Sequence, residues 1–258
     1  MFYSHLQTAM DRLPNVPVLP IVFSLALAAC GGSIDRSATL DDANDPFEGF
    51  NRSMFSVNLT LDHYVLEPAA KGYLFVPEPV RMSLRRFLDN LSSPVILAND
   101  GLQGQWARAG TTASRLGINT TIGLLGFFDP ASGLGFERHT EDFGQTLGAY
   151  GAGEGPYVYL PVLGPSPPRD LLGVGVDTML DPVTHILDDG STGPILVFAL
   201  KGIDSRATNM GLIDEIERSS VDYYASVRSL YRQNRNSEIA NGKTNMDDLP
   251  DIDDLDDF

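Results

Sequence analysis

The chain's 258 residues carry 34 acidic against 18 basic side chains, a formal net charge of −16 at pH 7. That excess repels polyphosphates and anionic headgroups, so neither nucleic acid nor membrane binding by bulk electrostatics is expected. The single cysteine, Cys30, excludes an internal disulfide, and no apolar run reaches the roughly 18 residues of a spanning helix.

The chain opens on a secretion signal. Arg12 supplies its basic start, Val16–Ala29 its apolar segment, and Leu27-Ala28-Ala29-Cys30 puts small residues directly before the cysteine. This is the grammar of a bacterial lipoprotein, in which residues 1–29 are removed and Cys30 is acylated. Pro17 and Pro20 break the segment, which is too short to span a bilayer. Two or more acyl chains anchor a protein stably where one does so only marginally. Gly31 and Gly32 stand where an inner-membrane retention Asp would be, so the expected destination is the outer membrane of a Gram-negative envelope, at its periplasmic face. Residues 30–44, small and polar, read as a lipidated tether.

A mainly α domain is expected over residues 45–240. Asp45-Pro46-Phe47-Glu48 reads as a helix start, with Asp45 as N-cap, Pro46 at the first helical position and Glu48 reaching back. Phe50, Met54, Val57 and Leu61 then mark one apolar face, and Phe55 and Leu59 a second. The next helix has Val80, Leu84, Phe87 and Leu91 as its buried seam, with Arg81 and Arg85 beside it and Ser92-Ser93-Pro94 as its stop. Residues 95–119 read as mostly helical, with Trp106 available as an interface anchor. Two greasy stretches, Ile118–Phe136 and Gly193–Leu200, have lengths that suit either a core helix or an interfacial segment. Between them, residues 148–175 are so rich in Gly and Pro that an irregular connection is expected, held by Tyr150, Tyr157, Tyr159 and Leu160. A last long helix is predicted from about Ile203 to Arg235, with an Asp214–Arg218 pair on its solvent side. Seven Asp between Asp247 and Asp257 make residues 241–258 an acidic tail expected to be disordered.

A search for chemistry finds little. There is no Gly-x-Ser-x-Gly elbow, no His-Glu-x-x-His, no phosphate-binding glycine loop and no paired-cysteine metal site. His139, Glu141 and Asp142 are too nearly adjacent in sequence to converge on one metal ion, and no cofactor, metal or catalytic residue is expected. Ser166, near Arg169 and Asp170, has no histidine partner in view.

Several phrases together carry a resemblance. They are Asp45-Pro-Phe-Glu-Gly-Phe-Asn-Arg52, Phe87-Leu-Asp-Asn-Leu91, and Arg115-Leu-Gly-Ile-Asn-Thr-Thr-Ile-Gly-Leu-Leu-Gly-Phe-Phe-Asp129. With them go Glu141-Asp-Phe-Gly-Gln-Thr-Leu-Gly-Ala-Tyr-Gly151, Gly155-Pro-Tyr-Val-Tyr-Leu-Pro161 and Gly164-Pro-Ser-Pro-Pro-Arg-Asp170. Over about residues 44–235 the chain resembles the MlaA (VacJ) family of outer-membrane phospholipid-transport lipoproteins. The Pro-rich signal and the acidic tail lie outside the matched part.

The resemblance implies a single ring-shaped helical domain, with in-plane membrane helices and an amphipathic central channel, seated in the inner leaflet of the outer membrane. It implies a trimeric outer-membrane porin and the periplasmic lipid carrier MlaC as partners, and phospholipid as cargo. Mislocalised lipid would pass from the outer leaflet through the channel to the carrier, maintaining lipid asymmetry without catalysis. Gly49, Phe50, Asn51, Arg52 and Met54 lie in the segment associated with channel gating. Ile122, Leu124, Leu125, Phe127 and Phe128 are candidates for channel or membrane-contacting surface. Arg52 and Arg115 could attract a lipid phosphate or pair with a nearby Asp. A non-transporting envelope adaptor and a lipid hydrolase remain the alternatives.

Overall fold

The computed structural model describes residues 44–186 and 192–242. The expected signal over 1–29, the expected acylation site Cys30, the expected tether up to residue 43 and the expected tail from residue 243 lie outside the described residues.

Helix α1 (Glu48–Leu61) runs through one π-helical turn, Asp62–Leu66, into α2 (Glu67–Tyr73). The capping box expected at its start does not form, and Phe47 takes the N-cap position with no side-chain bond. Asp45 turns inward instead, accepting from Asn51 Nδ2 at 2.7 Å, from Arg228 Nη1 at 2.6 Å and from the Tyr224 hydroxyl. A carboxylate taken out of water gains more from a guanidinium than from peptide N–H groups.

The face of α1 that points inward also differs from expectation. Phe50 is 51% exposed and Val57 and Leu61 about 40%, while Asn51 and Phe55 are buried. The reason lies in two asparagines seven residues apart. Asn51 donates to the Tyr157 carbonyl (3.0 Å) and accepts from the Tyr159 N–H (2.8 Å). Asn58 repeats this with the Leu160 carbonyl (2.9 Å) and the Val162 N–H (2.7 Å). The two amides serve as a substitute strand for the edge of the small hairpin β1 (Tyr159–Leu160) and β2 (Gly164–Pro165), whose backbone groups would otherwise lack partners. Beside them Phe55 packs edge-on against Tyr159, Tyr223 and Tyr224, with ring centroids 5.3–5.5 Å apart.

Helix α3 (Glu78–Leu102) passes straight through Ser92-Ser93-Pro94, which sequence reading takes as a stop. Ser92 and Ser93 bond back to the carbonyls of Leu88 and Asp89, and packing against α4 (Trp106–Thr121) carries the helix past the proline. The pair is antiparallel: Asn90 bonds Thr120 (2.9 Å), and Thr112 bonds Asp100 (2.7 Å). Val80, expected in the seam, is exposed, and the buried positions of α3 include Asn90, Asn99 and Asp100 beside Leu88 and Val95.

After the short α5 (Pro130–Gly133) come α6 (Phe143–Ala149) and, beyond the hairpin, α7 (Pro168–Leu180). The irregular stretch thus ends at Pro168, a residue suited to open a helix. Helices α8 (Pro182–Ile186) and α9 (Thr192–Thr208) follow. The single long helix expected over 203–235 is instead the end of α9, then α10 (Met210–Ser219) and α11 (Tyr223–Ile239). Asp222 restarts the helix by accepting from the Ala225 N–H at 3.1 Å. The Asp214–Arg218 side-chain pair is absent: Arg218 donates to the Asp214 backbone carbonyl, and the Asp214 carboxylate takes Arg206 at 3.3 Å. The fold is mainly α, and among the described residues no helix is long and apolar enough to cross a membrane.

Helices α6 and α7 touch through glycine. A Cβ at Gly173 would stand 2.4 Å from the Gly144 backbone nitrogen, whereas one at Gly175 would meet nothing within 4 Å. Gly173→Ala is therefore expected to destabilise the protein by about 1–3 kcal/mol through overpacking. Gly175→Ala should stabilise it by up to about 1 kcal/mol through helix propensity. Denaturant unfolding of both variants checks the contrast, and equal effects would show that the contact is not tight.

Candidate functional site

Helices α3, α4 and α9 border a cavity of about 340 Å³. Helix α3 contributes Arg85, Arg86, Asp89, Asn90, Ser92 and Ser93, and α4 contributes Thr112, Arg115 and Asn119. Asp129, Arg138, His139 and Lys201 complete the polar wall, while Met82 and Ile96 make part of it apolar. A neighbouring space of about 310 Å³ shares Arg85, Asp89, Arg138 and Lys201 and extends to Asp204 and Thr208.

The charges on this wall are sorted. Arg85 grips Asp204 with two bonds of 2.6 and 3.0 Å, Arg115 holds Asp129 at 2.9 Å, and Arg138 holds Asp89 at 2.8 Å. Lys201 reaches only a hydroxyl, Ser92 Oγ, at 2.6 Å. Among the described residues neither Lys201 nor Arg86 has a carboxylate within ion-pair distance. Burial pushes the Lys201 ammonium below its ordinary pKa, with Asp181 and Asp89 opposing, and pushes the Asp89 carboxyl above its own. Behind the wall lies a second network. Asp100, fully buried, accepts from Thr112 and lies 3.0 Å from His139 Nε2, while Glu141 takes Arg108 (2.6 Å) and Gln103 (2.7 Å). The acidic turn around His139 is thus split: Asp142 goes to Arg235, away from both.

The residues singled out from the sequence fall in separate surroundings. Gly49 stands in open space, Phe50 is half exposed, and Met54 packs on the aromatic core. Asn51 is fully buried under the hairpin. Arg52 pairs with Asp222 and Glu48 and lies 4.7 Å above the Tyr224 ring, so its guanidinium is already engaged. None of the five lines the cavity. Arg115 does line it, and like Arg52 it pairs with an aspartate.

The segment 122–128 forms a tight turn rather than a helix. Ile122, Leu124, Leu125 and Phe128 are each more than half exposed, and Phe127 stacks on Phe87 with centroids 4.9 Å apart. Leu124 and Leu125 both adopt positive φ (51° and 62°), which is costly for branched side chains and here presents both to the outside. Gly126 continues the turn at φ +96°, close against Asn90, whose amide holds the Leu125 carbonyl at 3.2 Å. The greasy turn therefore rests on a residue of the cavity wall. Arg86, Arg138 and Lys201 went unnoticed in the sequence as a group because they come from three distant segments. The only local hint is the Arg85-Arg86 pair inside an otherwise apolar helix pattern.

Asp129 ties turn and cavity together. Burial alone would raise its carboxyl pKa, but bonds from Ser132, Asn119 and Arg115 outweigh that and bring it from 3.8 to about 2. A depressed folded-state pKa contributes stability that is present above the unfolded value and lost as pH falls toward the folded one. Asp129→Asn is expected to cost about 2 kcal/mol at neutral pH and to flatten the stability profile between about pH 4 and 2. Denaturant unfolding across that range checks it, and an unchanged acid limb would remove Asp129 from this role.

The comparisons with known proteins bear on the whole body. A family model described as MlaA lipoprotein matches residues 43–238. The intermembrane phospholipid transport system lipoprotein MlaA of Haemophilus influenzae is 34% identical over 238 residues, covering 90% of this chain and 94% of that protein. The protein of the same name in Escherichia coli K12 is 37% identical over 226 residues, covering 81% and 88%. A solved structure described as "Structural basis for maintenance of bacterial outer membrane lipid asymmetry" superposes with a TM-score of 0.69 at 34% identity, over 76% of this chain and 98% of the other. Helical body, matched phrases and relatives agree, and the chain belongs to the MlaA lipoprotein family.

Proposed function

We propose that this protein is an outer-membrane lipoprotein that takes mislocalised phospholipid from the outer leaflet and passes it through its helical body toward the periplasm. Acylated Cys30 holds a ring-shaped domain, residues 45–240, in the inner leaflet beside a trimeric porin, with residues 30–44 as tether. The soluble carrier MlaC receives the lipid below. The protein acts as a conduit, not as an enzyme.

One observation carries the reading: the body combines an exposed apolar surface with buried charged and amide side chains. Ile122, Leu124, Leu125, Phe128, Ile195, Leu196 and Phe198 are exposed, while Asn51, Asn99, Asp100, Glu141 and Arg206 are buried. Apolar side chains gathered on an exposed turn and on α9 mark a surface that meets lipid. A charged cavity inside suits a headgroup, since a wholly apolar passage would strand it. The acyl chains need the opposite: baring two of them to water costs on the order of 20 kcal/mol at ~0.8 kcal/mol per CH₂. An amphipathic passage meets both demands, and Met82 and Ile96 beside the arginines give the cavity that mixed character.

The test uses the positive-φ leucines, because asparagine tolerates the left-handed backbone that leucine does not favour. A Leu124→Asn, Leu125→Asn double variant should keep its thermal stability in detergent yet lose lipid contact. In cells relying on that variant, outer-leaflet phospholipid, measured by leaflet-selective labelling, should rise to the level of cells lacking the protein. An unaltered lipid distribution would overturn the reading. Asn51 is unsuitable for such a test. Asn51→Ala leaves the Tyr157 carbonyl and Tyr159 N–H unpaired, and unfolding measurements should show a loss of about 2–3 kcal/mol.

A further inference from the structure

We propose that Arg86 and Lys201 form a phosphate-binding station in the cavity, one that takes the phosphodiester of a phospholipid headgroup. The inference rests on the conduit reading and adds to it a chemical identity for what the cavity holds.

Three aspartates face the two adjoining spaces, and each is taken by one arginine: Asp204 by Arg85, Asp129 by Arg115 and Asp89 by Arg138. Among the described residues the pairing leaves Arg86 and Lys201 as cations on the wall with no carboxylate at ion-pair distance, within a chain of net charge −16. Lys201 is the sharper case. Its ammonium is held among packed helices by one bond to Ser92 Oγ, so two of its three N–H donors have no acceptor among the described residues. Burying an ammonium without a counter-charge is unfavourable, and that cost is offset when an anion enters. Arg86, on the same wall, offers a planar fork that grips two phosphate oxygens. A phosphodiester presents two non-bridging oxygens that share one negative charge, an acceptor set that suits a guanidinium and an ammonium on one wall.

The experiment titrates the detergent-solubilised, acylated full-length protein with inorganic phosphate and, separately, with short-chain phosphatidylglycerol, by calorimetry. Wild type should bind both, and an Arg86→Gln, Lys201→Gln double variant should lose about tenfold or more in affinity for each, as expected for removed charge-assisted bonds. Lys201→Arg should restore most of the loss. Thermal unfolding of each variant verifies folding. Should the buried position not accept glutamine, Arg86→Gln alone supplies the reading. Tighter binding of the lipid than of free phosphate identifies the headgroup as the source, whereas equal binding identifies free phosphate. Affinities within twofold of wild type in the folded double variant would overturn the station. In that case, lipid still co-purifying with the protein would leave the conduit standing, and failure of the conduit would appear separately as unaltered outer-leaflet phospholipid in cells lacking the protein.

Discussion

The structure depends on matching buried charge with buried charge. Asp45 is closed by Arg228, Asn51 and Tyr224, and Asp170 by Arg169, Arg235 and Tyr231. Arg206, almost fully buried, bridges Asp62 and Asp214. Burial alone would push the Asp170 carboxyl upward, yet its bonds to Arg169, Arg235 and Tyr231 hold it below the usual range. Removing one member of such a set leaves a lone charge away from water, at a cost of about 3–5 kcal/mol, so each set fixes which helices meet and in what register. Apolar packing is not selective in that way. Here it is concentrated in the aromatic cluster around Phe55 and is modest elsewhere.

This polar interior releases the apolar side chains to face outward, and that determines how much of the fold could be read from the chain. The existence of the α1 and α3 helices was legible, because periodic apolar residues mark a helix whatever they face. Which face turns inward was not. The rule that the apolar stripe faces a core presumes water outside, and Phe50, Val57, Leu61 and Val80 are all exposed. What decides the orientation of α1 is the pair Asn51 and Asn58 serving the hairpin edge, an arrangement between segments about a hundred positions apart. Pro94 misled for a similar reason: local breaker chemistry yields to the packing of a 25-residue helix. The break at Ser220–Asp222 went the other way. There a local cap, Asp222, interrupts an apolar pattern that by itself runs on as one helix.

The candidate site divides along the same line. The greasy turn was legible, since Ile122–Phe128 is contiguous and combines glycine with large apolar residues. The cavity was not, because its cations come from α3, from the segment before α6 and from α9, and Ser92 and Lys201 are 109 positions apart. The two features are nevertheless one construction. Asn90 supports the turn through the Leu125 carbonyl and lines the cavity, and Asp129 anchors the turn's exit and lines the cavity too. A strained backbone at Leu124 and Leu125 persists only where its surroundings hold it in place, and here those surroundings are the polar wall.

On the proposed conduit reading, the balance of charge on that wall has a consequence. A passage must attract what it carries and then let it go, and a site that binds too strongly becomes a trap. Five cations without partners around a headgroup would hold a phosphate against any gradient. Three of them are spent on aspartates, and the two that remain are carried by helices α3 and α9. On that reading the wall keeps two cations to draw a phosphodiester out of a leaflet, while the paired aspartates stop the attraction from growing with every arginine added.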